Sequence, residues 1–139
     1  MARIMALDIG GKRTGIAVTD PLQIIATGLS TIEAGELIPY IKAYVQREPV
    51  ELFVVGWPTN WDDSETHGTP LVVKAIKELQ KHFPATPVHK MDERYTSKMA
   101  KDAMLEMGLK KKQRSNKKLV DEIAATILLQ DYLRSVQGA

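Results

Sequence analysis

The sequence predicts a single α/β domain, residues 1–139, with a mixed five-stranded sheet and helices on both faces. Two observations support this class. Three β-rich runs at the start are separated by short turns, which is typical of an antiparallel meander. The rest of the chain alternates short apolar runs with helical periodicity, which is typical of parallel strands joined by helical crossovers. A chain of 139 residues is also long enough to bury a substantial core.

The three strands of the meander are predicted at residues 3–9, 14–19 and 23–32. Each is rich in Ile, Val, Thr or Leu, residue types that favour strands. A glycine-rich segment separates the first two strands at hairpin spacing.

The later elements are predicted from apolar spacing, caps and breakers. In order they are a helix at 36–48, a strand at 51–56, a helix at 69–83, a strand at 87–91, a helix from about 96 to Gly108, and a final helix at about 118–135. The resulting order is βββαβαβαα.

Composition excludes several classes of protein. The chain has no cysteine, so disulfides and thiolate metal sites are excluded, and its three histidines lack zinc-like spacing. We interpret those histidines as surface or turn residues. No segment has the apolar length of a membrane span, and the N-terminus lacks the pattern of a signal peptide. We therefore expect a cytoplasmic protein that does not associate with membranes.

The net charge of +2 is unevenly distributed. Residues 94–118 contain nine basic and two acidic side chains and carry +7, whereas the remainder carries −5. This asymmetry predicts a surface that binds a polyanion such as nucleic acid. The alternative is a solvated lysine-rich loop. The basic side chains expected to contact nucleic acid here are Lys110, Lys111, Lys112, Arg114 and Lys117.

A carboxylate lies inside the first predicted strand, in the run ALDIGGKRTGIAV from Ala6 to Val18. A buried Asp8 needs a hydrogen bond, an ion pair or a metal. Its partner could be Lys12, Arg13 or a cation, and both basic residues are candidates for contacting nucleic acid. The glycines of this run are interpreted as clearance for a ligand, ultimately a nucleic-acid backbone beside Asp8. The alternative is a purely structural hairpin.

Two more carboxylates could join Asp8. Glu93 follows a predicted strand, at the sheet edge where ligand sites form, although strand alternation leaves Asp92 as the alternative. Asp121 shares a helical stripe with Ala124 and Ala125, small residues that allow close packing against the sheet. Its neighbour Glu122 is expected to face water. A simple interaction of Asp121 with the helix dipole is the alternative.

Three carboxylates without a Cys or His cluster suit one or two ions of Mg²⁺ or Mn²⁺. Such ions activate water and stabilise the leaving oxygen in phosphodiester cleavage. The basic segment would then hold the flanking phosphates in a salt-dependent manner.

Four segments, ALDIGGKRTGIAVTD, VVGWPTN, DERYTS and VDEIAATILLQDYL, resemble the YqgF (RuvX) family of pre-16S rRNA nucleases, which is related to Holliday-junction resolvases. The resemblance implies a ribonuclease H-like fold and an acidic, metal-binding and catalytic triad of Asp8, Glu93 and Asp121. It also implies that Arg94 and Thr96 lie at the site and that the turn at 56–60 borders it. The following run, WDDSETHG, departs from the family pattern, so the resemblance implies no substrate contacts for that loop.

We therefore expect a metal-dependent nuclease that acts on structured nucleic acid, with 5′-end processing of pre-16S rRNA favoured. The alternatives are a Holliday-junction DNA resolvase, which would require a homodimer, and a non-catalytic ribosome-assembly factor. An ATP-phosphate loop is disfavoured because one domain of this length cannot close over a nucleotide. Trp57 and Trp61 could stack on bases, but covering the edge of the core is the favoured interpretation.

Overall fold

A computed structural model describes residues 2–57, 69–92, 105, 108 and 116–136. Within these ranges the chain forms five strands, a 3₁₀ turn at Ala34–Glu36 and three long helices. The strands are β1 (Arg3–Ile9), β2 (Arg13–Thr19), β3 (Ala26–Glu33), β4 (Val50–Trp57) and β5 (Val88–Asp92), and the helices are α1 (Leu37–Arg47), α2 (Thr69–His82) and α3 (Lys117–Val136).

The strands form one mixed sheet in the order β3-β2-β1-β4-β5. The β1–β2 and β2–β3 pairs are antiparallel, whereas the β1–β4 and β4–β5 pairs are parallel. The predicted meander followed by parallel crossovers is therefore confirmed.

Helices cover both faces of the sheet, as predicted. Side chains alternate along β1, so that Met5 and Leu7 pack with α1 and α2, whereas Ile4 and Ala6 pack with α3. On the α3 face the helix contributes fully or almost fully buried residues: Ala125, Leu128, Leu129 and Leu133. The small residues Ala6, Ala17 and Ala125 allow α3 to lie close to the central strands.

The third strand begins later than predicted, at Ala26 instead of residue 23. Residues 20–25 form a loop, in which the Asp20 carboxylate accepts hydrogen bonds from the backbone N–H groups of Leu22, Ile24 and Ile25. Gln23 adopts a positive φ of 60°. The side chain of Asp20 thus competes with strand pairing for these backbone donors.

The predicted helix ending at Gly108 lies outside the described residues except for Leu105 and Gly108. Gly108 has a φ of +73°, the left-handed conformation expected of a glycine that ends a helix. None of the helices in the described part of the chain combines the length and hydropathy needed to cross a membrane.

Candidate active site

Asp8 lies near the end of β1 and is half-buried. It is paired across the antiparallel ladder with Gly15 of β2. Cross-strand partners point to the same face of a sheet. Alternate residues of β1 also share a face, so Asp8 points to the same side as Ile4 and Ala6, which pack with α3. Asp8 therefore lies on the face that α3 covers.

The backbone of α3 packs directly against Gly15, the residue that pairs with Asp8. A methyl group at Gly15 would overlap the carbonyl group of Asp121, and the backbone nitrogen of Glu122 would lie 3.2 Å from it. Gly15 therefore admits the backbone of α3 and places Asp121 above the strand that pairs with Asp8.

This contact corrects the prediction that the glycines leave room for a ligand. The space beside Gly15 is filled by the protein's own helix. Gly10 closes the turn instead, since its N–H donates to the Arg13 carbonyl at 2.9 Å and a β-carbon there would lie 2.8 Å from the same oxygen. Of the three glycines in the run, only Gly11 faces comparatively open space, and none of them needs a positive φ.

The start of α3 is held in place by three hydrogen bonds that involve two further side chains. The Asn116 side chain accepts hydrogen bonds from the N–H groups of Lys118, at 3.0 Å, and Leu119, at 3.3 Å. The Thr31 hydroxyl donates to the Lys118 carbonyl at 2.6 Å, and Thr31 pairs with Gly15 in the β2–β3 ladder. Asp8, Gly15 and Thr31 thus form one row across three strands, beneath the first turns of α3.

Asn116 was missed in the sequence analysis, although the signal was present. An Asn immediately before a helix is a strong candidate N-cap. The bond from Thr31 had no comparable signal, because the two residues are 87 positions apart in the chain.

Asp121 forms an ion pair with Arg13, whose Nε lies 3.0 Å from Oδ2 of the carboxylate. The side chains are 25% and 27% exposed, so the pair lies at the margin of the core. The first turn of α3 contains no acidic residue, and Asp121 lies beyond it. The interaction with the helix dipole fades within the first turn, so the contact with Arg13 explains this carboxylate better.

Glu122 does not simply face water, as was expected. It is half-buried, and its side chain lies over Gly28 of β3, where a β-carbon would come within 2.6 Å of a carboxylate oxygen. The expectation was wrong because the first turns of α3 lie over β3 as well as β2.

Only some of the other predicted site residues are among those that the structure describes. Lys12 is exposed in the β1–β2 turn, and Lys117 is the first residue of α3. Glu93, Arg94, Thr96, Lys110, Lys111, Lys112 and Arg114 lie outside the described residues, as do Trp61 and the loop WDDSETHG. Strand β5 ends at Asp92, directly before Glu93 in the chain.

Trp57 has a structural role, in line with the favoured interpretation. It is partly buried at the end of β4 and packs against the α1–α2 side of the core. The Nζ of Lys90 lies 4.5 Å from its ring centroid, within range of a cation–π interaction. Two histidines also make structural contacts, since His82 pairs with Glu78 and His89 contacts the Tyr132 ring edge-on.

The strand order, the helices on both faces and the acidic residues on the α3 face define the class of this protein. It has the ribonuclease H-like α/β fold. Its structure is similar to that of Thermus thermophilus RuvC in complex with a Holliday junction substrate, with a TM-score of 0.60, 18% sequence identity, and 99% and 97% of the two chains covered. A second structure of RuvC from that organism gives a TM-score of 0.56 at 16% identity and covers 98% and 96% of the two chains.

Sequence comparison identifies the family. The model of the family described as "RuvX: Holliday junction resolvase" matches residues 2–135, and the chain belongs to that family. Two similar relatives are named "Putative pre-16S rRNA nuclease". The one from Phocaeicola vulgatus is 52% identical over 135 residues, covering 97% of each chain. The one from Bacteroides thetaiotaomicron is 50% identical over 135 residues, covering 97% of this chain and 98% of its own.

Proposed function

We propose that this protein is a metal-dependent nuclease that hydrolyses phosphodiester bonds in structured RNA, and that its substrate is the 5′ region of pre-16S rRNA. The observation that carries the proposal is the contact of α3 with Gly15, which brings Asp121 to the strand beside Asp8. The names of the relatives support the choice of substrate. This substrate would place the protein in the bacterial cytoplasm.

The two described carboxylates fit a hard divalent cation such as Mg²⁺ or Mn²⁺. Both offer oxygen ligands, both are half-buried, and neither described histidine competes for the role. Among the residues that the structure describes, no group of three potential ligands forms a complete metal site. Glu93 is the proposed third ligand. A cation bound there supplies an activated water and stabilises the leaving oxygen.

The protein's own contribution is to hold these side chains on rigid elements. Asp8 is held by a strand paired on both sides, and Asp121 by a helix whose backbone packs against the sheet. Sites built on strands and helices keep their geometry better than sites on loops. We assign Asp8 and Asp121 to catalysis and metal binding on this basis, and Glu93 joins them as the third member of the triad that the family resemblance implies.

The start of α3 favours a nearby polyanion. The helix begins with two lysines, Lys117 and Lys118, and Lys118 is exposed. Cations at the N-terminus of a helix are opposed by its dipole, whereas bound phosphates would offset that repulsion. We propose that these lysines, with Lys12, Arg94, Thr96 and the segment Lys110 to Arg114, contact the phosphates of the substrate.

The direct test is a cleavage assay with a pre-16S leader RNA and a synthetic four-way DNA junction, each with Mg²⁺ or Mn²⁺. We expect Asp8→Asn, Glu93→Gln and Asp121→Asn to lower RNA cleavage at least about 100-fold, because even indirect changes around metal ligands cost about 10- to 100-fold. The matched control is Asp131→Asn. Asp131 is on the same helix but pairs with Arg134, so this variant should retain activity.

The outcomes separate the competing functions. Cleavage of RNA that persists unchanged in Asp8→Asn contradicts the proposed site. Cleavage of the junction without cleavage of RNA supports the DNA resolvase. Binding without cleavage under either metal supports an assembly factor.

A further inference from the structure

Arg13 hydrogen-bonds to one oxygen of Asp121, the carboxylate that the proposed function assigns to the metal. Its Nε donates to Oδ2 of Asp121 at 3.0 Å in a pair that is about three-quarters buried. A charge-assisted hydrogen bond of this kind is stronger than a neutral one. A guanidinium group cannot lose its proton in a protein. The fixed positive charge of Arg13 therefore opposes a cation at the same carboxylate, and the two compete for Asp121.

The backbone around this pair leaves little freedom for either partner to move away. Arg13 is in β2, two residues before Gly15, and so points to the same face of the sheet. The Asp121 backbone is packed against Gly15. Only the side chains can separate, and the guanidinium would stay tethered at the edge of the site, where it can bind a phosphate through two parallel hydrogen bonds.

We propose that Arg13 exchanges one partner, Asp121, for another, a phosphate of the substrate. Without substrate it is the internal counter-ion of Asp121 and weakens metal binding. When a cation takes Asp121, Arg13 is released to a phosphate of the nucleic acid. Metal binding and RNA binding then favour each other, because each stabilises the same state of Arg13. This inference rests on the proposed role of Asp121 as a metal ligand.

The first measurement is Mn²⁺ affinity of the protein alone, from the electron paramagnetic resonance signal of free Mn²⁺. We expect Arg13→Gln to bind Mn²⁺ at least about 5-fold more tightly than wild type, the lower end of typical coupling between sites. Arg13→Lys, which keeps the charge but loses the planar fork, should lie between the two.

The second measurement is affinity for the leader RNA, from fluorescence anisotropy in EDTA and in Ca²⁺. In EDTA, Arg13→Gln should match wild type to within about 2-fold, because Arg13 is engaged by Asp121. In Ca²⁺ it should bind RNA at least about 5-fold more weakly. Tighter metal binding with weaker RNA binding is a combination that mere loss of structure does not produce.

Arg3→Gln is the matched control. Arg3 also lies on a strand, its side chain is 24% exposed, and its Nε lies 3.2 Å from a carboxylate oxygen of Glu48. Losing this pair should leave both affinities unchanged. Thermal unfolding of all the variants checks that they are folded.

Two results would overturn the inference, and they are distinguishable. If Asp8→Asn and Asp121→Asn lose Mn²⁺ binding but Arg13→Gln does not gain it, Arg13 is only a structural partner and the proposed function stands. If the two aspartate variants bind Mn²⁺ like wild type, the metal site itself is wrong, and the role of Arg13 fails with it.

Discussion

The absence of a side chain at Gly15 determines where the candidate site can form. Any β-carbon there would meet the backbone carbonyl of Asp121, and a helix backbone cannot step aside as a flexible side chain can. Gly28 illustrates the difference, because a β-carbon there would meet the Glu122 side chain. Gly35 has nothing within 4 Å of that position.

We expect Gly15→Ala to lower the free energy of unfolding by about 3 kcal/mol, the upper range for overpacking. Gly28→Ala should cost about 1 kcal/mol, because Glu122 can move aside. Gly35→Ala should stay within about 0.5 kcal/mol of wild type. Urea denaturation measures all three. Equal effects at Gly15 and Gly35 would contradict the close packing of α3.

At the scale of elements, the Asp20 side chain organises the loop between β2 and β3. Asp20 accepts three backbone hydrogen bonds, the shortest from the Ile25 N–H at 2.7 Å. These bonds lower the pKa of Asp20, with the Ile25 N–H as the largest cause. The charged carboxylate therefore stabilises the folded loop and sets the point at which β3 begins.

We expect Asp20→Ala to lower the melting temperature at pH 7. A lowered pKa in the folded state means that the stabilisation is complete above the unfolded pKa, about 3.9, and is lost as the pH falls through the folded value. The deficit of Asp20→Ala should therefore shrink below pH 4.

Asp20→Asn is the control for this pH effect. It keeps one acceptor oxygen without a titrating charge, so its stability relative to Asp20→Ala should not depend on pH. Thermal unfolding followed by circular dichroism between pH 2.5 and 7 measures both differences. A deficit of Asp20→Ala that stays constant over this range would contradict the role of the charge.

The whole molecule combines a basic segment with a mildly acidic remainder, and the charge on residues 94–118 is opposite in sign to that of the rest. Such a distribution orients a polyanion toward one region of the surface. The exposed lysines of α1 and α2 lie on the face of the sheet opposite to α3. They should therefore contribute little to the binding of a polyanion on the α3 face.

We expect the triple variant Lys110→Ala, Lys111→Ala and Lys112→Ala to bind the leader RNA more weakly. The slope of log affinity against log salt should fall by up to about 2, because each lost phosphate contact removes about 0.7 from the slope on single strands. Anisotropy titrations between 50 and 300 mM KCl provide the measurement.

The matched control replaces Lys42, Lys77 and Lys81, which are exposed on α1 and α2. This variant has the same change in net charge and should keep the wild-type slope. Equal slopes for the two triple variants would show that the basic segment is only a solvated surface.

Most of the fold could be predicted from the sequence because it follows from local patterns. The continuous apolar run of β1 indicates a strand buried on both faces. The apolar spacing of α1 and α2 and the alanines of α3 each specify a helix and the face it buries. The predicted sheet and the placement of helices on both faces are confirmed. The start of β3 was wrong because a side chain took over backbone donors that the strand pattern assigns to the ladder.

For the candidate site, the sequence by itself determined which residues could carry the chemistry. The sequence pattern identifies one aspartate within an apolar strand and another on a helical stripe of small residues. Only the tertiary structure decided which strand Asp121 lies over, since the backbone of α3 packs against Gly15 and the Asp121 side chain pairs with Arg13. Arg13 and Asp121 are 108 positions apart, and such a contact depends on the height and rotation at which a helix packs on a sheet. Local periodicity does not encode those two quantities.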